Sequence, residues 1–173
     1  MADMDAPLSL SNYLTVVLAI ACLWSSGVHA AGGVVKQWRL AMPPCLAAAV
    51  ALVLLAGIYN ATIGHDAEWV AGAILGAAIG RTRGWLMYVE ADQKRGLVRL
   101  PRVMDGLAVA FGLVVLSLID FASAALEDYV VDPQHVAAAA ALCAGYLGFR
   151  AVAMMVRAGR APHVELYDAE SAG

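Results

Sequence analysis

Long apolar runs alternate with short polar connections along this chain. Stretches of about 20 predominantly apolar residues can cross a bilayer as helices. Such runs occur near Leu10–Ala31, Leu40–Tyr59, Ala67–Val89, Met104–Leu126 and His135–Arg157. The pattern predicts an all-α, polytopic integral membrane protein with five transmembrane helices in a single membrane domain. A polar tail over 158–173 follows the last run. The third run is the weakest of the five, because Arg81 and Arg83 interrupt it. Between the third and fourth runs lies the one sizeable polar connection, WLMYVEADQKRGLVRLPR. Its LMYVE and LVRLP pieces have strand character and DQKRG supplies turn chemistry. A small hairpin is therefore expected there, with Pro101 ending its second strand.

The charges give the five runs a direction. Lys36 and Arg39 follow the first run, and Arg81, Arg83, Lys94, Arg95, Arg99 and Arg102 follow the apolar part of the third. Arg150, Arg157 and Arg160 end the fifth, so all eleven basic residues fall on one side. The other side receives Asp3, Asp5, His65, Asp66, Glu68, Glu127, Asp128 and Asp132. Lys/Arg bias sets orientation. The expectation is a bacterial inner-membrane protein with its N-terminus periplasmic and its C-terminus and hairpin cytoplasmic. The acidic opening MADMDAPLSLSNY lacks the basic start of a signal peptide, and the first run is expected to be retained.

Composition sharpens the class. The chain is 62% hydrophobic and only 14% charged, with a mean hydropathy of +0.73. Soluble domains run nearer 45–50% apolar and about 25% charged, so lipid is the natural solvent. No basic stripe with interleaved aromatics appears, which leaves nucleic-acid binding without support. Cys22, Cys45 and Cys143 sit in separate apolar runs with no CxxC or Cys/His spacing. They read as small core residues rather than as a disulfide framework or zinc site.

Within the third run, GAILGAAIGRTRG places Gly72, Gly76, Gly80 and Gly84 at i+4 intervals. Residues at that spacing form one ridge along a helix, and small residues let membrane helices approach closely. The ridge is expected to be a packing seam, with a narrow passage beside it as the alternative. From Trp69 to Gly80 is roughly 18 Å of helix, short of a hydrocarbon core near 30 Å. Arg81 and Arg83 therefore enter the inner leaflet if the helix continues. Arg81 then either snorkels to the headgroups or meets a carboxylate inside the bundle, Asp105 or Glu90 being in range.

Candidate chemistry is sparse. Asp120, in LSLIDFASAAL, is the carboxylate set well within an apolar run, and intramembrane ionisable groups are functional candidates. Tyr59 and Asn60 are its expected neighbours. His65 and His135 share the outer side with Asp66, Asp120, Glu127, Asp128 and Asp132. That group suits a divalent cation, although solvated outer loops explain it equally. His29 and His163 lie on the other side, and no HExxH, GxSxG or phosphate loop occurs. No enzyme and no cofactor are indicated.

WRLAMPP opening the second run, the glycine-spaced third run, the basic polar segment and GFRAVAMMVRA closing the fifth together resemble the CcdC-like family of small bacterial membrane proteins. The resemblance implies an inner-membrane protein with an accessory role, and it adds no catalytic residue. Members are associated by name with cytochrome c biogenesis, but the absence of CxxC here gives a thiol-redox role no support. The expected function is a non-enzymatic accessory or scaffold protein that packs against a membrane-protein partner through its glycine-lined face. The alternatives are a small oligomeric transporter or channel using Asp120 and Arg81, and a haem or metal carrier using His65 and His135.

Overall fold

A computed structural model describes residues 9–58, 63–126 and 131–166. The chain is mostly helical, with helices α1 (Leu10–Ala30), α2 (Met42–Ala56), α3 (Ile63–Leu86), α4 (Asp105–Leu126) and α5 (Pro133–Arg160). Among the described residues four segments are long and apolar enough to cross a membrane: α1, Gln37–Ala56 (which holds α2), α4 and α5. The 24-residue α3 is about 36 Å long but falls outside that set. Its first turn carries Asp66 and its last turn Arg83, which dilute the apolar content between them.

Local chemistry sets the helix ends. Pro43 and Pro44 open α2, where a missing N–H costs nothing. Asp132 caps α5, its Oδ1 accepting from the Gln134 N–H at 3.1 Å, with Pro133 as the first helical residue. At the start of α1 the Ser9 N–H donates to Asn12 Oδ1 at 3.1 Å. The third helix begins four residues before the apolar run and stops at Leu86 instead of Val89. There Arg157 Nη1 donates to the carbonyls of Trp85 and Met87, supplying donors to an unwinding helix end.

The mostly helical expectation holds, and the strands form a sheet larger than the single hairpin expected. Strands β1 (Gly33–Lys36), β2 (Glu90–Asp92) and β3 (Leu97–Leu100) form a three-stranded sheet. Their order is β1-β3-β2, with both pairings antiparallel. The expected hairpin is β2 and β3, shorter than LMYVE and LVRLP suggested. Asp92 Oδ1 receives the Lys94 and Arg95 N–H groups, and Gly96, at φ +64°, closes the turn in a conformation that suits glycine. The third strand was not anticipated. It comes from GGVVK between α1 and α2, a stretch too short to carry a periodicity.

The sheet gathers two connections, α1–α2 and α3–α4, at one end of the bundle. Residues 161–166 join it: the Val164 N–H donates to the Ala91 carbonyl, and Leu166 is buried. Part of the expected polar tail is thus packed against β2, and residues 167–173 lie outside the described set. Val35, Leu40, Met87, Val98, Leu100 and Met154 form a core under the sheet. A second core fills the bundle, with Ala19, Cys22, Ala47, Val50, Ala110 and Leu113 among its fully enclosed members.

Helix α5 is central and packs against α2, α3 and α4, while α1 packs against α2 and α4. The glycine ridge of α3 lies along α5. A Cβ on Gly72, Gly76, Gly80 or Gly84 would come within 3.0 Å of the carbonyl oxygen of Ala138, Leu142, Tyr146 or Arg150 respectively. The register is constant over four successive contacts, so α3 and α5 run parallel. Each glycine aims a Cα hydrogen at a carbonyl, a contact worth about 0.5–1 kcal/mol. Gly145 reciprocates against the Ala73 carbonyl. Outward faces stay apolar: Val17 is 61% exposed and Ile74 62%, a surface suited to lipid.

Candidate functional site

Polar groups concentrate at the two ends of the bundle. At the sheet end, Asp105 opens α4 and its carboxylate collects donors from three helices. Arg150 Nη2 on α5 lies 3.0 Å from Oδ1. Arg83 Nε on α3 donates to Oδ2 at 3.1 Å, and the Tyr146 hydroxyl donates to Oδ2 at 2.9 Å. The Gly106 N–H donates to Oδ1 at 2.7 Å. With four donors on two oxygens the carboxylate is saturated, which suits it to tying α3, α4 and α5 together. Gly106 makes the approach feasible, since a Cβ there would sit 2.9 Å from Arg150 Nη1.

The sequence directed attention to Arg81, and the structure assigns the Asp105 contact to Arg83. The reason is angular. Successive helix residues turn by about 100°, so Arg81 and Arg83 flank the glycine seam on opposite sides. Arg83 faces α4. Arg81 is exposed and lines a groove with Trp85, Phe149 and Val152. Glu90, the other carboxylate considered for Arg81, is bonded to Arg99 Nη1 at 2.8 Å. The glycine face itself is occupied by α5, so it is not open to a partner protein. The packing seam expected from the spacing is filled by a helix of the same chain.

Beside Arg150 lies a cavity of about 20 Å³ lined also by Ser26 and His29. Among the described residues, Ser26 Oγ and Arg150 Nε are buried there without a hydrogen-bond partner. A polar cavity of this size has room for one water, which would satisfy both groups.

At the opposite end, Asp120 Oδ2 accepts from Asn12 Nδ2 at 3.1 Å. The start of α1 fixes that amide, because Asn12 Oδ1 already serves the Ser9 N–H. Tyr59 and Asn60, the neighbours expected from sequence, lie outside the described residues. Asn12 was missed, being nearly the length of the chain's first four runs away in sequence. Asp120 opens on a cavity of about 260 Å³ with Ser9, Ser11, Asn12 and Thr15 on its wall. A carboxylate among hydroxyls suits a small cation or an amine-bearing solute.

His135 Nε2 is 4.0 Å from Glu68 Oε2 and largely exposed, and the His65 side chain lies outside the described residues. Among the described residues no group of three His, Cys, Asp or Glu is placed to hold a metal. The thiols of Cys22, Cys45 and Cys143 are free. At the end of β2, Asp92 is 2% exposed and receives the Leu166 N–H at 3.3 Å, with His163 Nδ1 at 3.7 Å. Burial alone would raise its pKa. The Leu166, Arg95 and Lys94 N–H groups and the neighbouring His163 outweigh that and hold the carboxyl below its usual range.

The fold and these two polar ends define a mostly helical protein with segments long and apolar enough to cross a membrane and a small sheet at one end. Comparison with protein-family models, curated proteins and solved structures finds no match.

Proposed function

We propose that the chain is a five-span, non-enzymatic protein of the bacterial inner membrane that acts as an accessory or scaffold subunit. Its sheet end faces the cytoplasm and its N-terminus the periplasm. The parallel register of α3 on α5 supports counting α3 as the fifth span, because α5 is itself long and apolar enough to cross. The charge partition supports the orientation. The observation that carries the scaffold reading is the bundle interior. Between Asp120 and Asp105, Ala19, Ala110 and Leu113 are wholly buried at 0% exposure, so apolar packing separates the two polar ends. The sheet and the docked residues 161–166 add a structured surface at the cytoplasmic end, and the resemblance to the CcdC-like family agrees with an accessory role. The partner is a membrane protein engaged through a surface other than the glycine ridge.

The cavity at Asp120 favours a second reading, a small transporter for a cation or amine. One pair of measurements separates them. Purification in mild detergent should return a membrane-protein partner at fixed stoichiometry, and proteoliposomes holding the chain alone should show no cation flux. Flux that Asp120→Asn abolishes would instead establish transport.

A further inference from the structure

We propose that the cavity at Asp120 binds a primary alkylammonium group. The inference takes its site from the second reading above and asks for binding, not passage. The cavity holds about 260 Å³, room for about eight waters and far more than one bare metal ion. It runs inward beside the first turns of α1, from exposed Ser9 to buried Thr15, a rise of about 9 Å.

The hydroxyl hydrogens on its wall are already spent. Ser9 Oγ donates to Asn12 Oδ1 at 2.6 Å, so Ser11 is the donor in the Ser9–Ser11 hydroxyl pair. Thr15 Oγ1 donates to the Asn12 carbonyl at 2.8 Å. Asp120 Oδ2 accepts from Asn12 Nδ2 at 3.1 Å, and Oδ1 takes no donor among the described residues. Asn12 keeps one amide hydrogen, against the lone pairs of three hydroxyls and a carboxylate oxygen. An occupant rich in donors fits this wall.

The chain supplies no cation of its own here. No lysine or arginine precedes Lys36 or falls between Arg102 and Arg150, the stretches that contain α1 and α4. Arg83 and Arg150 meet Asp105, about 22 Å along α4 from Asp120. His135, at the same end as Asp120, faces Glu68 at 4.0 Å. A carboxylate set among apolar helices without a basic partner draws its countercharge from outside.

The rest of the wall selects the kind of cation. Val53, Leu54 and Ala124 line it, and a short hydrocarbon would cover them, whereas a hydrated inorganic ion would leave them wet. A primary ammonium brings three N–H donors to Asp120 Oδ1 and the hydroxyl lone pairs, and a quaternary one brings none.

Saturation-transfer NMR on the purified chain in mild detergent tests the site, with n-butylammonium as probe and tetramethylammonium or sodium as competitor. Wild type should bind n-butylammonium, and neither competitor should displace it at equal concentration. Asp120→Asn should weaken binding about ten-fold or more, the scale of a hydrogen bond to a charged group. Ala124→Leu, which fills the apolar wall and leaves the carboxylate in place, should weaken it too. Equal signals from wild type and both variants, or equal displacement by tetramethylammonium, overturns the site. Native mass spectrometry with phosphatidylethanolamine and phosphatidylcholine of identical chains then identifies the source. An Asp120-dependent preference for the first makes the ammonium a lipid headgroup, and equal retention makes it a free amine. Butylammonium binding without flux supports the site and leaves the scaffold reading standing. Cation flux without butylammonium binding overturns the amine and keeps transport.

Discussion

The Tyr146 hydroxyl donates a 2.9 Å hydrogen bond to the Asp105 carboxylate, and the carbonyl of the same tyrosine receives Gly80 of α3. One residue of α5 thus links the glycine seam to the polar tie at the sheet end. The seam sets how closely α3 approaches, and that distance brings Arg83 to Asp105.

Removing the Asp105 charge should be costly. Arg150 and Asp105 are only 13% and 18% exposed, and breaking one partner of a buried pair typically costs about 3–5 kcal/mol. Arg83 is 49% exposed, and its exposed pair is worth about 1 kcal/mol or less. Asp105→Asn should lower thermal stability in detergent far more than Arg83→Ala does. A double-mutant cycle should give stronger coupling for Arg150 with Asp105 than for Arg83 with Asp105. Equal coupling would show that burial does not rank the two pairs.

The seam makes a sharper demand than ordinary packing. Even alanine at Gly76 or Gly80 places its Cβ against a carbonyl of α5, and overpacking costs about 1–3 kcal/mol. Gly112, where a Cβ meets nothing within 4 Å, is the control. Gly76→Ala and Gly80→Ala should destabilise the protein, while Gly112→Ala should be neutral or mildly stabilising. Similar melting of all three variants would remove the seam as a determinant of stability.

Acid should release the tail late. The folded pKa of Asp92 is depressed, so its stabilising contribution is complete above the unfolded value near 4. It is lost only as pH falls through the lower folded value. A nitroxide at Glu165 should stay immobile at neutral and mildly acidic pH and loosen below about pH 4. In Asp92→Asn it should be mobile at neutral pH. Spin-label spectra that do not change with this substitution would refute Asp92 as the group that holds residues 161–166 on the sheet.

Topology offers the widest check. Reporter fusions after Gly96 and Gly159 should report cytoplasmic, and a fusion after Gly64 periplasmic, if α3 crosses between them. A cytoplasmic signal at Gly64 would show that α3 does not span.

Apolar run length, charge partition and glycine spacing are properties of the chain in one dimension. They fixed the apolar helical character, the clustering of basic residues at one end and the existence of a close-packed face on α3. Which helix fills that face depends on packing in three dimensions, and α5 takes it by carrying carbonyls in matching register. The choice of Arg83 over Arg81 follows from the side of the seam on which α4 lies, and residues only two apart in sequence point to opposite sides. Asn12 meets Asp120, and GVVK meets LVRL, only after α1 has folded back beside α4. Contacts between distant segments arise from helix register and from the side chains that helix ends hold in place, and neither is written in the local pattern.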